Sequence, residues 1–135
     1  MEVLISDRRD LPEAAVLALY RANDWSSADK PAQLMAALRH SHTLLSAWVG
    51  ERLVGLGNAI SDGHLVVYYP HLLVHPDFQG RGIGKKLLAQ MQAIYGDFHM
   101  QMLTADGKAI DFYARNGFEK AGETQAMWIY GGGEH

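Results

Sequence analysis

Val74-His75-Pro76-Asp77-Phe78-Gln79-Gly80-Arg81-Gly82-Ile83-Gly84-Lys85-Lys86 runs from an apolar strand end through a glycine-rich turn into an amphipathic helix. Glycines at 80, 82 and 84 let the backbone bend and come close to a ligand. The first N–H groups of the helix have no intrahelical partner and point outward with the positive end of its dipole. That arrangement forms an anion site, suited to a phosphate or pyrophosphate.

Two other glycine loops are excluded by spacing. A P-loop needs a glycine five positions before Gly84 and a Ser or Thr after its lysine, where this chain has Gln79 and Lys86. A dinucleotide fingerprint reads G-x-G-x-x-G in an early βαβ unit with an acidic residue about 20 positions on. Here the pattern is G-x-G-x-G beyond the chain's midpoint, and Asp97 alone does not restore the match.

Gln79-Gly80-Arg81-Gly82-Ile83-Gly84 resembles the acyl-CoA-binding motif [Q/R]-x-x-G-x-[G/A] of the GNAT acetyltransferases. The resemblance extends upstream to Leu72-Leu73-Val74-His75-Pro76 and downstream to a late helix with the F-Y-x-x-x-G-F signature at Phe112-Tyr113-Ala114-Arg115-Asn116-Gly117-Phe118. Two motifs in the right order and spacing are far more specific than one glycine turn.

The 135 residues, 48% of them hydrophobic, predict one domain over 1–135, with the glycines at 131–133 opening a loose tail at 131–135. A chain of this length can bury a core without disulfides or a structural metal. The absence of cysteine excludes an acyl-cysteine mechanism. No apolar window approaches the ~18 residues of a membrane span, and the N-terminus lacks a signal pattern, so the expected location is cytoplasmic with no membrane partner. Lys and Arg number 12 against 15 Asp and Glu, and this net charge of −3 argues against nucleic acid as a partner.

Hydrophobic periodicity predicts a first strand over 2–6, a helix to about Arg21 capped by Asp10, a second helix over 31–40, and a hairpin from Thr43–Val49 into Leu53–Ile60. His64–Val74 reads as a long strand in which Pro70 imposes a bulge or an unpaired edge. Ile83, Leu87, Leu88, Met91 and Ile94 share one face of a helix ending near Tyr95. A strand near Met100–Leu103, a helix over 108–115 closed by Asn116-Gly117, and last strands at Phe118-Glu119 and Thr124–Tyr130 complete the order β-α-α-β-β-β-α-β-α-β-β. This is an α/β fold, and it agrees with the GNAT fold: a single mixed, mostly antiparallel central sheet with helices on both faces.

The resemblance implies that acetyl-CoA is the co-substrate. Gln79, Gly80, Arg81, Gly82, Ile83, Gly84 and Lys85 would hold its pyrophosphate, and the strand end at Leu73 and Val74 would pair with the pantetheine arm. Tyr113 stands where the family commonly places the acid for the departing thiolate; the competing reading is an aromatic packing residue like Phe112. On the central strand relatives often use Glu or His to relieve the amine of its proton, yet no carboxylate lies between His64 and Asp77. His71 has a suitable unperturbed pKa, with ordered water as a competing route. Trp25 and Tyr68 are candidates for holding the acceptor, a small-molecule amine or a protein amine. His40, His42, His64 and His99 show no H-x-x-x-H spacing and there is no Cys/His cluster, so no metal is expected. The expected activity is N-acetyl transfer to a primary amine by direct attack; the alternative is a non-catalytic acyl-CoA sensor. The family resemblance also implies a homodimer.

Overall fold

The computed structural model describes residues 2–132. Its elements follow the order β1 (Leu4–Ser6), α1 (Glu13–Ala22), α2 (Pro31–Arg39), β2 (Thr43–Val49), β3 (Arg52–Ser61), β4 (Val66–Tyr68), β5 (Leu72–Val74), α3 (Ile83–Tyr95), β6 (Met100–Met102) and α4 (Ala109–Arg115). The strands form one sheet in the order β1-β2-β3-β4-β6, with β5 pairing β3 further along the same strand. All pairings are antiparallel except β4 with β6.

Side-chain alternation along the strands separates two cores. Leu44, Leu56 and Leu73 face α1 and α2, meeting Val16, Leu19, Tyr20, Leu34 and Leu38. Leu45, Ala47, Val54 and Val67 face α3, meeting Ile83, Leu87, Met91 and Tyr95. Gly55 makes the second contact close: a Cβ there would lie 3.1 Å from Ile83 Cγ2 and 3.2 Å from Leu87 Cδ1. The sheet therefore carries helices on both faces, as expected.

Three details differ from the sequence reading. Helix α1 starts at Glu13 behind Pro12, with no side-chain cap, so Asp10 does not serve as its N-cap. Ile94 is 48% exposed, and Tyr95 takes the buried position on α3. The two last strands do not form: no residue from 118 to 132 is in a strand.

Two turns and one distant contact account for that third difference. Gly117 at φ +96° closes α4 by turning the chain back, with the Phe118 N–H donating to Tyr113 C=O. A second turn joins Ala121 to Thr124, and the Tyr130 hydroxyl then lies 3.0 Å from Ser26 Oγ on the turn after α1. The segment is led across to α1 rather than along β6, and β propensity without a partner strand does not make a strand. Gly131 and Gly132 are exposed and outside any helix or strand; residues 133–135 of the expected tail lie outside the described residues.

Candidate active site

The site begins where the strand predicted over 64–74 divides. Pro70 cannot donate to a ladder, and β4 and β5 separate at Tyr69-Pro70-His71. Before the break the chain is paired on both sides, by β3 and by β6, and the Tyr69 N–H still reaches Met102 C=O at 3.0 Å. After it, β5 has β3 alone as a strand partner among the described residues.

The register of β5 decides which groups face the open side. His71 C=O accepts from Asn58 N–H, and His75 N–H donates to Val54 C=O. Backbone bonds alternate along an antiparallel pair, so 71, 73 and 75 turn to β3 while Leu72 and Val74 turn away from it. Of the two residues expected to pair with a pantetheine arm, Val74 therefore offers its backbone outward and Leu73 does not. Gln79 Nε2 already donates to the Val74 C=O at 3.0 Å, which ties the turn to the strand.

That turn is a 3₁₀ segment at Pro76–Phe78 followed by the glycines. Gly80 has φ +78° and Gly82, immediately before α3, φ +81°. Both are left-handed positions that favour glycine, and nothing lies within 4 Å of where a Cβ would sit. The open space leads to the first-turn amides of α3, whose donors lack intrahelical acceptors. Two guanidinium groups flank the turn, Arg52 at 4.9 Å and Arg81 at 5.3 Å from the Phe78 ring centroid. Lys85 is exposed on the first turn. Gly84 serves packing instead, since its ideal Cβ would touch Phe112 Cζ at 3.5 Å and Val74 Cγ2 at 3.8 Å, so α4 and β5 both pack against the start of α3 there.

His71, at the break, meets residues from α1 and the loop after it. Its Nδ1 lies 2.7 Å from the Tyr20 hydroxyl, and its ring is edge-on to Tyr20 and Trp25 at 5.4 and 5.2 Å. Its backbone N–H donates to Asn58 Oδ1, whose Nδ2 donates to Ser41 Oγ, which donates to Ala37 C=O. Trp25 and His71 are thus brought together, while Tyr68 stands exposed on β4. Replacing Asn58 by alanine is expected to destabilise the fold by about 1–3 kcal/mol, because the amide is buried and its partners lose theirs. Urea denaturation would measure it, and an unchanged midpoint would contradict this account of the network.

Tyr113 lies on α4 between Phe112 and Phe118, with ring centroids at 5.1 and 5.7 Å. Burial pushes its phenol up to about 12. Burial also raises the phenols of Tyr20 and Tyr69 well above their ordinary value. A raised folded-state pKa gives stability that is full below the unfolded value of about 10 and is lost as pH rises through the folded one. Urea midpoints are therefore expected to hold level up to about pH 9 and to fall steadily between pH 10 and 12. A level profile to pH 12 would contradict the burial of these phenols.

Sequence reading missed the roles of Tyr20, Asn58 and Ser41, which hold His71 from elements distant in the chain. Asn58, a buried amide within the apolar run of β3, is the signal that could have found the network. Of two surface grooves, one of about 670 Å³ between β1, β2 and α3 is lined by other residues, and one of about 580 Å³ beside α1 reaches Arg52 and His75 at the edge of the turn. The candidate site instead lies where β4 and β5 part. Among the described residues no cluster of His, Asp or Glu could hold a metal.

The model of the GNAT acetyltransferase domain matches residues 40–120, which include the break, the glycine turn and Tyr113. The chain belongs to this family. It is 40% identical over 68 residues to the uncharacterised N-acetyltransferase ycf52 of Gracilaria tenuistipitata var. liui, covering 49% of this chain and 37% of that protein. It is 34% identical over 71 residues to the chloroplastic GCN5-related N-acetyltransferase 2 of Arabidopsis thaliana, covering 51% and 28%. The chain thus spans well under half the length of these two curated relatives. A GNAT family acetyltransferase from Streptococcus pneumoniae superposes with a TM-score of 0.82 at 29% identity, covering 96% of this chain and 99% of that one. Glucosamine-6-phosphate N-acetyltransferase from Arabidopsis thaliana, at 11% identity and a TM-score of 0.71 over 96% and 100%, shares the fold alone.

Proposed function

We propose that the chain is an N-acetyltransferase that moves an acetyl group from acetyl-CoA to a primary amine by direct attack. The observation that carries this reading is the outward edge of β5 at Leu72 and Val74, leading through Gly80 and Gly82 to the free amides of α3. Space and donors there suit a pantetheine amide and a pyrophosphate: an extended arm adds to an open strand edge, and the anion sits at a helix N-terminus. Val74 and Leu72 hold the arm in this reading. Gln79, Gly80, Arg81, Gly82, Ile83 and Lys85 form the phosphate turn, Gly84 lets α4 and β5 pack close beneath it, and Leu73 supports it from the core shared with α1.

The acceptor amine enters beside His71 and Trp25, with Tyr68 further out. An indole face suits a cationic amine, and Asp24, in the left-handed region at φ 57°, supplies a carboxylate in the same loop. Tyr113 gives its phenolic proton to the thiolate as the thioester bond breaks. A phenol raised to about 12 stays protonated at working pH, ready to donate. We place the protein in the cytoplasm as a homodimer, for which the exposed Met127, Trp128 and Ile129 offer apolar surface. No helix among the described residues is long and apolar enough to cross a membrane.

Isothermal titration with acetyl-CoA, with thiol release measured against a panel of primary amines, tests the reading. Binding with thiol release supports it. Tight binding with no release across a broad panel favours a non-catalytic acyl-CoA sensor, and no binding of any acyl-CoA overturns the assignment of residues 74–86. Light scattering that gives only monomer removes the dimer.

A further inference from the structure

The groove of about 580 Å³ beside α1 ends at two groups that the transfer chemistry above leaves unused, Arg52 at the start of β3 and His75 just after β5. The Asp77 N–H donates to His75 Nδ1 at 3.1 Å. An imidazole whose Nδ1 accepts carries its hydrogen on Nε2. Arg52 Nη2 lies 3.4 Å from that Nε2, and a guanidinium has donors only. Two donors therefore face each other, and neither satisfies the other.

Arg52 finds no carboxylate partner among the described residues. It lies over the Phe78 ring at 4.9 Å, a contact that uses the face of the guanidinium and not its N–H groups. Glu51 lines the same groove, and the Asp77 carboxylate lies 3.9 Å from His75 Nδ1, on the other nitrogen from Arg52. Both acidic residues are exposed, so water and salt screen them. An anion with several oxygens resolves the conflict by accepting from Arg52 and from the Nε2–H together.

The shape of the groove narrows the choice of anion. Ala15 and Leu19 of α1 and Val49 and Leu53 of the hairpin give it an apolar wall, and its volume falls in the range of small-molecule sites. An apolar wall with a cationic rim suits a base that carries a phosphate. The rim also belongs to the glycine turn, because His75 caps the 3₁₀ segment at Pro76–Phe78, and Arg52 and Arg81 both stand over Phe78. Beyond its pyrophosphate, acyl-CoA carries an adenine and a phosphate on the ribose 3′ carbon. We propose that Arg52 and the Nε2–H of His75 form a second phosphate subsite, which takes the ribose 3′-phosphate of acyl-CoA while the adenine lies along the groove. The assignment to acyl-CoA rests on the reading of the turn as a pyrophosphate site; the anion site itself does not.

The test is titration calorimetry of the full chain with acetyl-CoA and with its 3′-dephospho form, on wild type and Arg52→Gln. Arg52 is exposed, so its replacement leaves both cores intact. Wild type is expected to bind acetyl-CoA about tenfold more tightly than the dephospho form, and Arg52→Gln to bind the two alike. Equal affinities in wild type, or a preference that survives in Arg52→Gln, overturns the assignment to the 3′-phosphate. Inorganic phosphate alone, added at constant ionic strength and followed by the His75 imidazole resonances in NMR, tests the anion site without any acyl-CoA. Shifts in wild type that vanish in Arg52→Gln are expected, and no shift in wild type overturns the site. If wild type binds no acyl-CoA, the reading of the turn fails, and the phosphate titration still decides what Arg52 and His75 hold.

Discussion

Replacing Gly82 by valine is expected to weaken acetyl-CoA binding by at least about a hundredfold, roughly 2.7 kcal/mol by the relation between affinity and free energy. Two effects combine. Gly82 sits at φ +81° immediately before α3, and a left-handed backbone costs an L-residue about 1–2 kcal/mol, more for a β-branched side chain. The chain can escape that strain by rotating the peptide, but the rotation moves the first amides of α3 off their common direction. If it stays, the new side chain fills the space where no atom now lies within 4 Å of the Cβ position. Either way the anion site loses donors or room. Titration calorimetry reads the loss, and full affinity in Gly82→Val would separate the turn from the cofactor.

Gly84→Ala is the informative companion. Its residue is helical, has no positive φ, and would place its Cβ in ordinary contact with Phe112. Helix propensity then favours alanine by about 1 kcal/mol. The sequence alone made the two glycines look equivalent; the structure gives one to conformation and the other to the packing of α4 and β5 on α3.

What the sequence reveals follows from the range of the forces involved. Helix α3 and strand β2 form with the bounds that periodicity predicts, Ile83–Tyr95 and Thr43–Val49, because each buries a regular apolar pattern against a core. Pro70 is legible too, since a missing N–H breaks a ladder in any context. The segment Thr124–Tyr130 has the composition of a strand, but a strand requires a neighbour, and here Tyr130 meets Ser26 instead, across 104 residues of chain. The glycine turn and Tyr113 belong to local motifs and are readable. The grip on His71 is not, because Tyr20 lies 51 positions away and Ser41 reaches it only through Asn58. Local motifs thus point to the glycine turn proposed for the cofactor, whereas the surroundings of His71, proposed for the acceptor, are assembled by tertiary contacts.

Tyr113→Phe is expected to reduce kcat by about a hundredfold or more, the lower part of the range for losing a positioned general acid. The substitution removes one oxygen and keeps the ring, so the edge-on contacts with Phe112 and Phe118 at 5.1 and 5.7 Å persist. Stability should therefore change little, and KM for acetyl-CoA should hold, because the hydroxyl acts on the leaving sulfur rather than on the bound ground state. Burial pushes the phenol up to about 12, so wild-type kcat should show no loss from this group through the neutral and mildly alkaline range. Packing predicts the opposite pairing. An aromatic that only fills space between α4 and Phe118 would give normal turnover as phenylalanine, and the loss would appear only in Tyr113→Ala, together with a lower melting temperature. Steady-state kinetics on the two variants, beside their thermal unfolding, therefore separates a proton donor from a packing residue at the same position.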